Sequence, residues 1–328
     1  MCGIFFCVRA AECGGECDWE GCREQIWRRG PDLRGELWLE VEQAGRQAVT
    51  ACSSVLWLQG ERPTPQPLQD QAGNILLWNG DIFSLSEDWG GREPGQSDTT
   101  ALAARLAGCT RPEEVVQSVG AVRGPWAMVY LQPATRTLWF GRDFLGRHSL
   151  LLSRKAGRLT LASCAPVGSA AGWLEVPATG LFSCTLEPDG GLAEIVLHPW
   201  HGRPLGPLLQ DCTVSPLTIP SPVNVELLPQ EPDPLPAAPP PGPDLFDRML
   251  QKPELEAAVC ELSHLLRTAV ATRLSHQPGR CRDCVVKLSD PAQPCHHAAV
   301  GILFSGGLDS GALAHLAVGE GVVLAPPC

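Results

Sequence analysis

No run of apolar residues in this chain approaches the roughly 20 that a membrane-crossing helix needs. The first apolar run, Ile4 to Val8, is too short for a secretory signal and has no basic flank. Basic residues are outnumbered, with 25 Lys and Arg against 36 Asp and Glu, and they are scattered, giving a formal net charge of -11. Such a balance leaves no electrostatic footprint for nucleic acid or an anionic membrane, so the expected ligand is a small molecule. Without a secretion signal, the 15 cysteines read as reduced thiols of a soluble, cytoplasmic protein. Those inside apolar runs, such as Cys164 and Cys184, behave as small hydrophobes. A cysteine-protease arrangement of Cys, His and Asn is also missing.

What is present is length for two ordinary domains, 328 residues, with 31 prolines concentrated in one place. Between Pro229 and Pro243 eight of fifteen residues are proline, too many for helix or sheet, so residues 204–250 read as an extended linker between domains at 1–203 and 251–328. The first domain opens with a short helix over 18–29, acidic at its start and stopped by Gly30-Pro31. Short apolar stretches of strand length follow at 48–58, 74–83, 126–131, 136–140, 150–153, 159–163 and 181–186, separated by turn residues, which predicts stacked antiparallel sheets. Ser97-Asp98-Thr99-Thr100 opens a helix ending near Gly108, and a second covers 112–119. In the last segment Leu255, Val259, Leu262, Leu266 and Val270 recur at helical spacing and predict a core-facing helix. The apolar run Ala299 to Phe304, leading into Ser305-Gly306-Gly307, predicts a buried parallel strand ahead of a glycine loop, hence an α/β domain.

Chemistry concentrates at the start. If Met1 is removed, Cys2 carries both a thiol and an α-amine that titrates near ~8, so nucleophile and general base reside in one residue. Downstream stand Arg29-Gly30-Pro31-Asp32, Trp78-Asn79-Gly80-Asp81, Gly141-Arg142-Asp143 and Ser305-Gly306-Gly307-Leu308-Asp309-Ser310. Read bare, Asn79-Gly80 is also a hairpin-turn dipeptide, Asp98 a helix N-cap and Arg29 a helix-end charge.

Taken together and in this order, with Leu138 to Phe144 and Glu175 to Ala178, these stretches resemble the glutamine-dependent asparagine synthetase family over most of 1–200 and 250–317. The resemblance implies an α+β architecture: an N-terminal-nucleophile glutaminase sandwich, two antiparallel sheets between helices, followed by an incomplete α/β pyrophosphate-loop synthetase domain. It further implies that Cys2 attacks the side-chain amide of glutamine, forming a thioester and releasing ammonia for asparagine synthesis. Asn79 and the Gly80 N–H would form the oxyanion hole, Asp98 would hold the substrate ammonium, and Arg29 and Asp81 would border the site. Ser305, Gly306, Gly307, Asp309 and Ser310 match the pyrophosphate loop, where the family uses ATP and Mg²⁺; the glutaminase half needs no cofactor.

Two departures from the pattern stand out. The family's carboxylate-binding arginine is replaced by Cys52-Ser53-Ser54-Val55-Leu56, leaving Arg62 and Arg46 as substitutes, and Asp81 stands where the family has glutamate. Only eighteen residues follow Ser310, the last of them without periodicity, so the chain reads as a truncated form in which the ATP-dependent step is not expected. A protein that keeps the glutaminase fold for binding or assembly is the alternative function. Cys281-x-x-Cys284 followed by Cys295-His296-His297 reads as a loop insertion, with tetrahedral zinc as the rival reading.

Overall fold

The protein is seen in a computed structural model that describes residues 1–10, 17–41, 47–85, 95–155, 157–168, 171–206, 208–209, 211–222, 244, 251–287, 295, 297–298 and 300–319. The proline tract, Arg46, His296, Ala299 and the tail beyond Gly319 lie outside the described residues. The chain divides into two units, Met1–Val225 and Glu226–Cys328.

The first unit holds two large sheets. One consists of β1 (Gly3–Ala10), β2 (Leu33–Val41), β3 (Gln47–Val55), β10 (Leu151–Lys155), β11 (Arg158–Ala162) and β12 (Leu174–Glu175), in the order β12-β10-β11-β1-β3-β2. The other consists of β4 (Leu68–Gln69), β5 (Ile75–Gly80), β8 (Trp126–Gln132), β9 (Thr137–Arg142), β13 (Gly180–Leu186), β14 (Leu192–Pro199) and β15 (Cys212–Val214), in the order β15-β14-β13-β9-β8-β5-β4. A small ribbon pairs β6 (Ser84–Leu85) with β7 (Val122–Arg123). Among these pairings only β14 with β15 is parallel.

Successive side chains of a strand face opposite ways, so a strand apolar at every position needs cover on both faces. β1 has it. Ile4, Phe6 and Val8 enter the core between the sheets, with Leu77, Val129, Phe140 and Phe182 opposite. Phe5 and Cys7 face the other way, onto Trp19, Cys22 and Ile26 of α1 (Trp19–Trp27). On the second sheet Leu76, Trp78, Met128 and Tyr130 meet Leu102 and Leu106 of α2 (Asp98–Ala107) and Val115, Val116 and Val119 of α3 (Pro112–Gly120). The result is four layers, helix, sheet, sheet, helix: the stacked sheets expected from the residue pattern, in the layering that the family resemblance implies. β1, β2 and β14, together with the short β4, β6, β7, β12 and β15, are additional to the expected strands. The first unit also continues past residue 203: β15 extends the second sheet, and Ile219, bridged to Trp200, is fully buried, so this part of the expected linker completes a sheet edge.

His198 of β14 gives the unit a pH dependence. It is 5% exposed, with Nε2 3.0 Å from Ser183 Oγ, and burial lowers its pKa from 6.5 to about 4. Between those values the unfolded chain binds the extra proton, so stability present above about 6.5 is lost as pH falls toward 4, by up to roughly 3 kcal/mol. Urea unfolding at pH 7 and pH 5 should show the loss, and His198→Gln should shrink it.

In the second unit α4 (Pro253–Ser275) buries none of its residues, and Val259, Leu262 and Leu266 are exposed. The helix is where the spacing predicts it, but the core that its stripe should face is missing among the described residues. Val300 to Phe304 form no strand, and Leu303 is 96% exposed. A parallel strand is stabilised by neighbouring strands and covering layers, and the described residues of this unit include no other strand to pair with it. The remaining elements are α5 (Arg282–Lys287) and α6 (Leu308–Gly319). Among the described residues, no helix is long and apolar enough to cross a membrane.

Candidate active site

Cys2 stands one residue ahead of β1, and Gly3 pairs with Ser54, so the thiol lies beside the end of β3. The Leu56 N–H points at Cys2 Sγ from 3.3 Å. Arg29 Nε donates to the Cys2 carbonyl at 3.1 Å, which anchors the chain start to the second residue beyond α1. The Arg29-Gly30-Pro31-Asp32 loop is locked onto the same β3 end. Asp32 N–H donates to Val55 O at 3.0 Å, and Asp32 Oδ2 accepts from Trp57 N–H at 2.7 Å. A Cβ on Gly3 would lie 2.5 Å from Ile26 O, and one on Gly30 2.4 Å from the Val55 carbonyl carbon, so both glycines are demanded by close backbone approach.

Asn79 and Gly80 end β5 and pair with Ala127 and Trp126; they are strand residues, not a hairpin turn. A Cβ on Gly80 would sit 2.7 Å from Pro125 O and from Trp126 Cβ. Asn79 is 1% exposed, and its Nδ2 has no hydrogen-bond partner among the described residues. A buried amide donor left without an acceptor costs roughly 1–3 kcal/mol.

Asp98 is not the cap of α2. Ser97 is: its Oγ accepts from Thr100 N–H at 3.1 Å. Asp98, 7% exposed, instead accepts from the Trp78 indole Nε1 at 3.0 Å and from Thr99 N–H at 2.8 Å. Asp81 Oδ1 accepts from Gln59 Nε2 at 3.1 Å. One cleft is lined by Cys2, Leu56, Gly80, Asp81 and Asp98 together, with Asn79 adjoining it along β5.

Burial raises the Cys2 thiol to about 11, partly offset by the Leu56 N–H, so the thiol is held protonated near neutrality. Burial also lowers the Met1 ammonium below its ordinary value, and the nearby Arg29 charge adds to this. The departure in β3 has a structural counterpart. Ser53 Oγ donates to Gln66 O and Ser54 Oγ to Ile26 O, so both hydroxyls are committed to the scaffold. Among the described residues lining the cleft there is neither Arg nor Lys, and Arg62 is exposed and not among them.

The structure thus gathers Cys2, Gly80, Asp81 and Asp98 at one opening, with Arg29 and Asn79 against it. It adds roles for Leu56 and Trp78, which stand in the quoted stretches without one, and for Gln59, which stands in none. Their contacts are made across the fold by a backbone N–H, an indole and a buried amide, none of which has a sequence signature. The Gly141-Arg142-Asp143 motif serves the scaffold: Asp143 accepts from the backbone of Trp126, Leu145 and Arg147, and Arg142 donates to the carbonyls of His148 and Val176. In the second unit Ser305 Oγ and Ser310 Oγ lie 3.2 Å apart, Gly306 has φ 82°, and Leu308 and Asp309 start α6; Ser310 is half-buried and the others are exposed.

No family model matches the chain. It is 29% identical over 350 residues to human asparagine synthetase domain-containing protein 1, covering 97% of this chain and 53% of that protein. It is 32% identical over 307 residues to a Drosophila melanogaster asparagine synthetase domain-containing protein, covering 88% and 51%. With the Bos taurus asparagine synthetase domain-containing protein 1 it shares 34% over 197 residues, covering 58% and 30%. The chain therefore spans about a third to a half of the length of these relatives. A solved glutamine phosphoribosylpyrophosphate amidotransferase from B. subtilis, complexed with ADP and GMP, aligns with a TM-score of 0.44 and 18% identity, covering 58% of this chain and 48% of that one. The chain is a relative of the asparagine synthetase domain-containing proteins, in agreement with the family that its motifs resemble.

Proposed function

We propose that the first unit hydrolyses the side-chain amide of glutamine, with Cys2 as nucleophile after removal of Met1. The observation that carries this reading is the convergence of the Cys2 thiol, the Asp98 carboxylate and Gly80 on one cleft, beside the unsatisfied Asn79 amide. A thiol raised by burial needs an adjacent base, and the environment that lowers the Met1 amine would act on the Cys2 amine once it is exposed. That amine, in its neutral form, takes the thiol proton as sulfur attacks the amide carbon. Asn79 Nδ2 and the Gly80 N–H receive the oxyanion, the C–N bond breaks with the proton returned to ammonia, and water then releases glutamate from the thioester. Asp98, oriented by Trp78, pairs with the substrate ammonium.

The Ser305 to Ser310 loop offers hydroxyl and backbone donors of the kind that hold phosphate oxygens. Its hydroxyls face each other, and the strand expected to brace it is not formed, so no ATP step is derived for this chain. ATP and Mg²⁺ belong, in this reading, to a longer form, and the asparagine context is proposed through the relatives alone. The absence of Arg and Lys among the described cleft residues favours a second reading, a glutaminase fold retained for binding.

The test is glutamate release from glutamine by protein with a verified Cys2 N-terminus, beside the same chain with an N-terminal tag left in place. Release by the free form alone supports the hydrolase; equal, background release by two folded proteins selects the binding reading. Trp78→Phe should keep the core filled but remove the donor to Asp98, a charge-assisted bond worth roughly 1.5–3 kcal/mol, so KM for glutamine should rise about tenfold or more with kcat nearly unchanged.

A further inference from the structure

The second unit brings together four side chains with no part in amide hydrolysis. Cys281 lies just ahead of α5, Cys284 sits in its first turn, and Cys295 and His297 come from beyond residue 294. Their ligating atoms all lie within 4.8 Å of one another. His297 Nδ1 is 3.4 Å from Cys281 Sγ, 3.3 Å from Cys284 Sγ and 3.5 Å from Cys295 Sγ.

Hydrogen bonding does not account for this arrangement. One imidazole nitrogen carries a single proton or a single in-plane lone pair, so it cannot serve three sulfurs at once. A cation at the centre of the four atoms can. A tetrahedral zinc with Zn–S of about 2.3 Å and Zn–N of about 2.0–2.1 Å sets each N···S edge at about 3.5 Å, the separation found here three times. Backbone donors add to the fit: Cys284 N–H points at Cys281 Sγ, and Cys281 N–H at Cys295 Sγ, each at 3.4 Å. Such donors favour thiolate, the form that binds metal. Three thiolates select a soft or borderline cation over Mg²⁺ or Ca²⁺, and a full set of four protein ligands leaves no open position for catalysis.

The surroundings indicate what the ion does. α4 buries no residue and Leu303 and Phe304 are exposed, so the described part of this unit has little apolar core to order it. Small units of that kind are held by disulfides or structural metals. We propose that Cys281, Cys284, Cys295 and His297 form a structural zinc site that fixes the segment between α4 and the Ser305 loop. The sequence leaves this choice open, because its spacing is irregular and two adjacent histidines compete; in the structure it is His297 that stands among the three sulfurs.

The test uses the full chain, purified under reducing conditions with zinc supplied and excess removed. Elemental analysis should find one zinc per chain. Alkylation mapped by mass spectrometry should show Cys281, Cys284 and Cys295 protected at least tenfold relative to the exposed Cys260, with protection lost on chelation. Cobalt substitution should give the visible absorption of a tetrahedral thiolate complex, and Cys284→Ser should lose bound metal. Substoichiometric zinc with the three thiols alkylated as fast as Cys260 would overturn the proposal, as would a disulfide among them or undiminished zinc in Cys284→Ser. Because the alkylation and cobalt measurements use the unsubstituted chain, a variant that fails to fold does not cloud the result.

Discussion

Cys2→Ala should reduce glutamate release to the level of buffer alone while leaving the unfolding transition within about 1 °C, a small ΔΔG for a unit of this size. The substitution keeps the α-amine, the Arg29 bond to the Cys2 carbonyl and the pairing of Gly3 with Ser54; it removes only the sulfur and its contact with the Leu56 N–H. Among the described residues that line the cleft, the other hydroxyls are held by neighbours, Thr64 Oγ1 donating to Ser97 Oγ and Thr99 Oγ1 to Asp98 Oδ1, and Asp81 and Asp98 accept hydrogen bonds from Gln59 and Trp78. Asn79→Ala should act at a different stage. It leaves the thiol in place but removes a donor to the oxyanion, so kcat should fall by roughly 10² to 10³. It also removes a buried amide nitrogen that lacks a partner, so thermal stability should hold or rise slightly. A steady-state assay with a melting curve on each protein separates the two effects. Retention of more than about 1% of the activity in Cys2→Ala would reject the nucleophile assignment, since the expected donor effect alone is already of that size.

Gly30→Ala should carry a large cost in stability. The added methyl would lie 2.4 Å from the Val55 carbonyl carbon, 2.5 Å from Val55 N and 2.6 Å from the Ser54 carbonyl carbon. All three are backbone atoms of β3, which is paired on one side with β1 and on the other with β2, so none can move aside without breaking a ladder. Overpacking of this kind costs about 3 kcal/mol, which for a unit of this size lowers Tm by roughly 6–12 °C. Because the same displaced segment carries the Leu56 N–H and the Asp32 bond to Trp57, activity should fall even at temperatures where the variant remains folded. Calorimetry and glutamate release at 15 °C would show both. A Tm within 2 °C of the parent would mean that the loop does not press on β3 as described.

Much of the first unit could be read from the chain because its signals are local. Runs such as Trp126 to Leu131 are apolar at every step, which requires a sheet covered on both faces, and the structure supplies that cover. β2 carries a weaker signal than a continuous run, because Leu33, Gly35, Leu37, Leu39 and Val41 alternate with Arg34, Glu36, Trp38 and Glu40, as in a solvent-facing edge strand. The signal of β14 is weak for a similar reason, with Glu194 and His198 interrupting its apolar positions. In the second unit the helical spacing of Leu255 to Val270 correctly gave a helix but not its burial. Periodicity shows which residues share a face, and only the neighbours decide whether that face is covered.

By itself the sequence determined the three helices of the first unit and strands such as β3, β5, β8, β9, β11 and β13, the order of the motifs, and the residue chemistry available at the start of the chain: a thiol next to an α-amine, an Asn-Gly pair and an acidic residue ahead of a helix. The tertiary structure alone decided that Ser97 caps α2 so that Asp98 is left to the Trp78 indole, and that Asn79-Gly80 is a strand end rather than a turn. It alone placed Leu56 on the thiol and His297 among three sulfurs. The physical reason is common to these cases. Propensity and periodicity act between residues a few positions apart, whereas each of these contacts joins atoms whose approach is set by sheet register and loop closure across the fold.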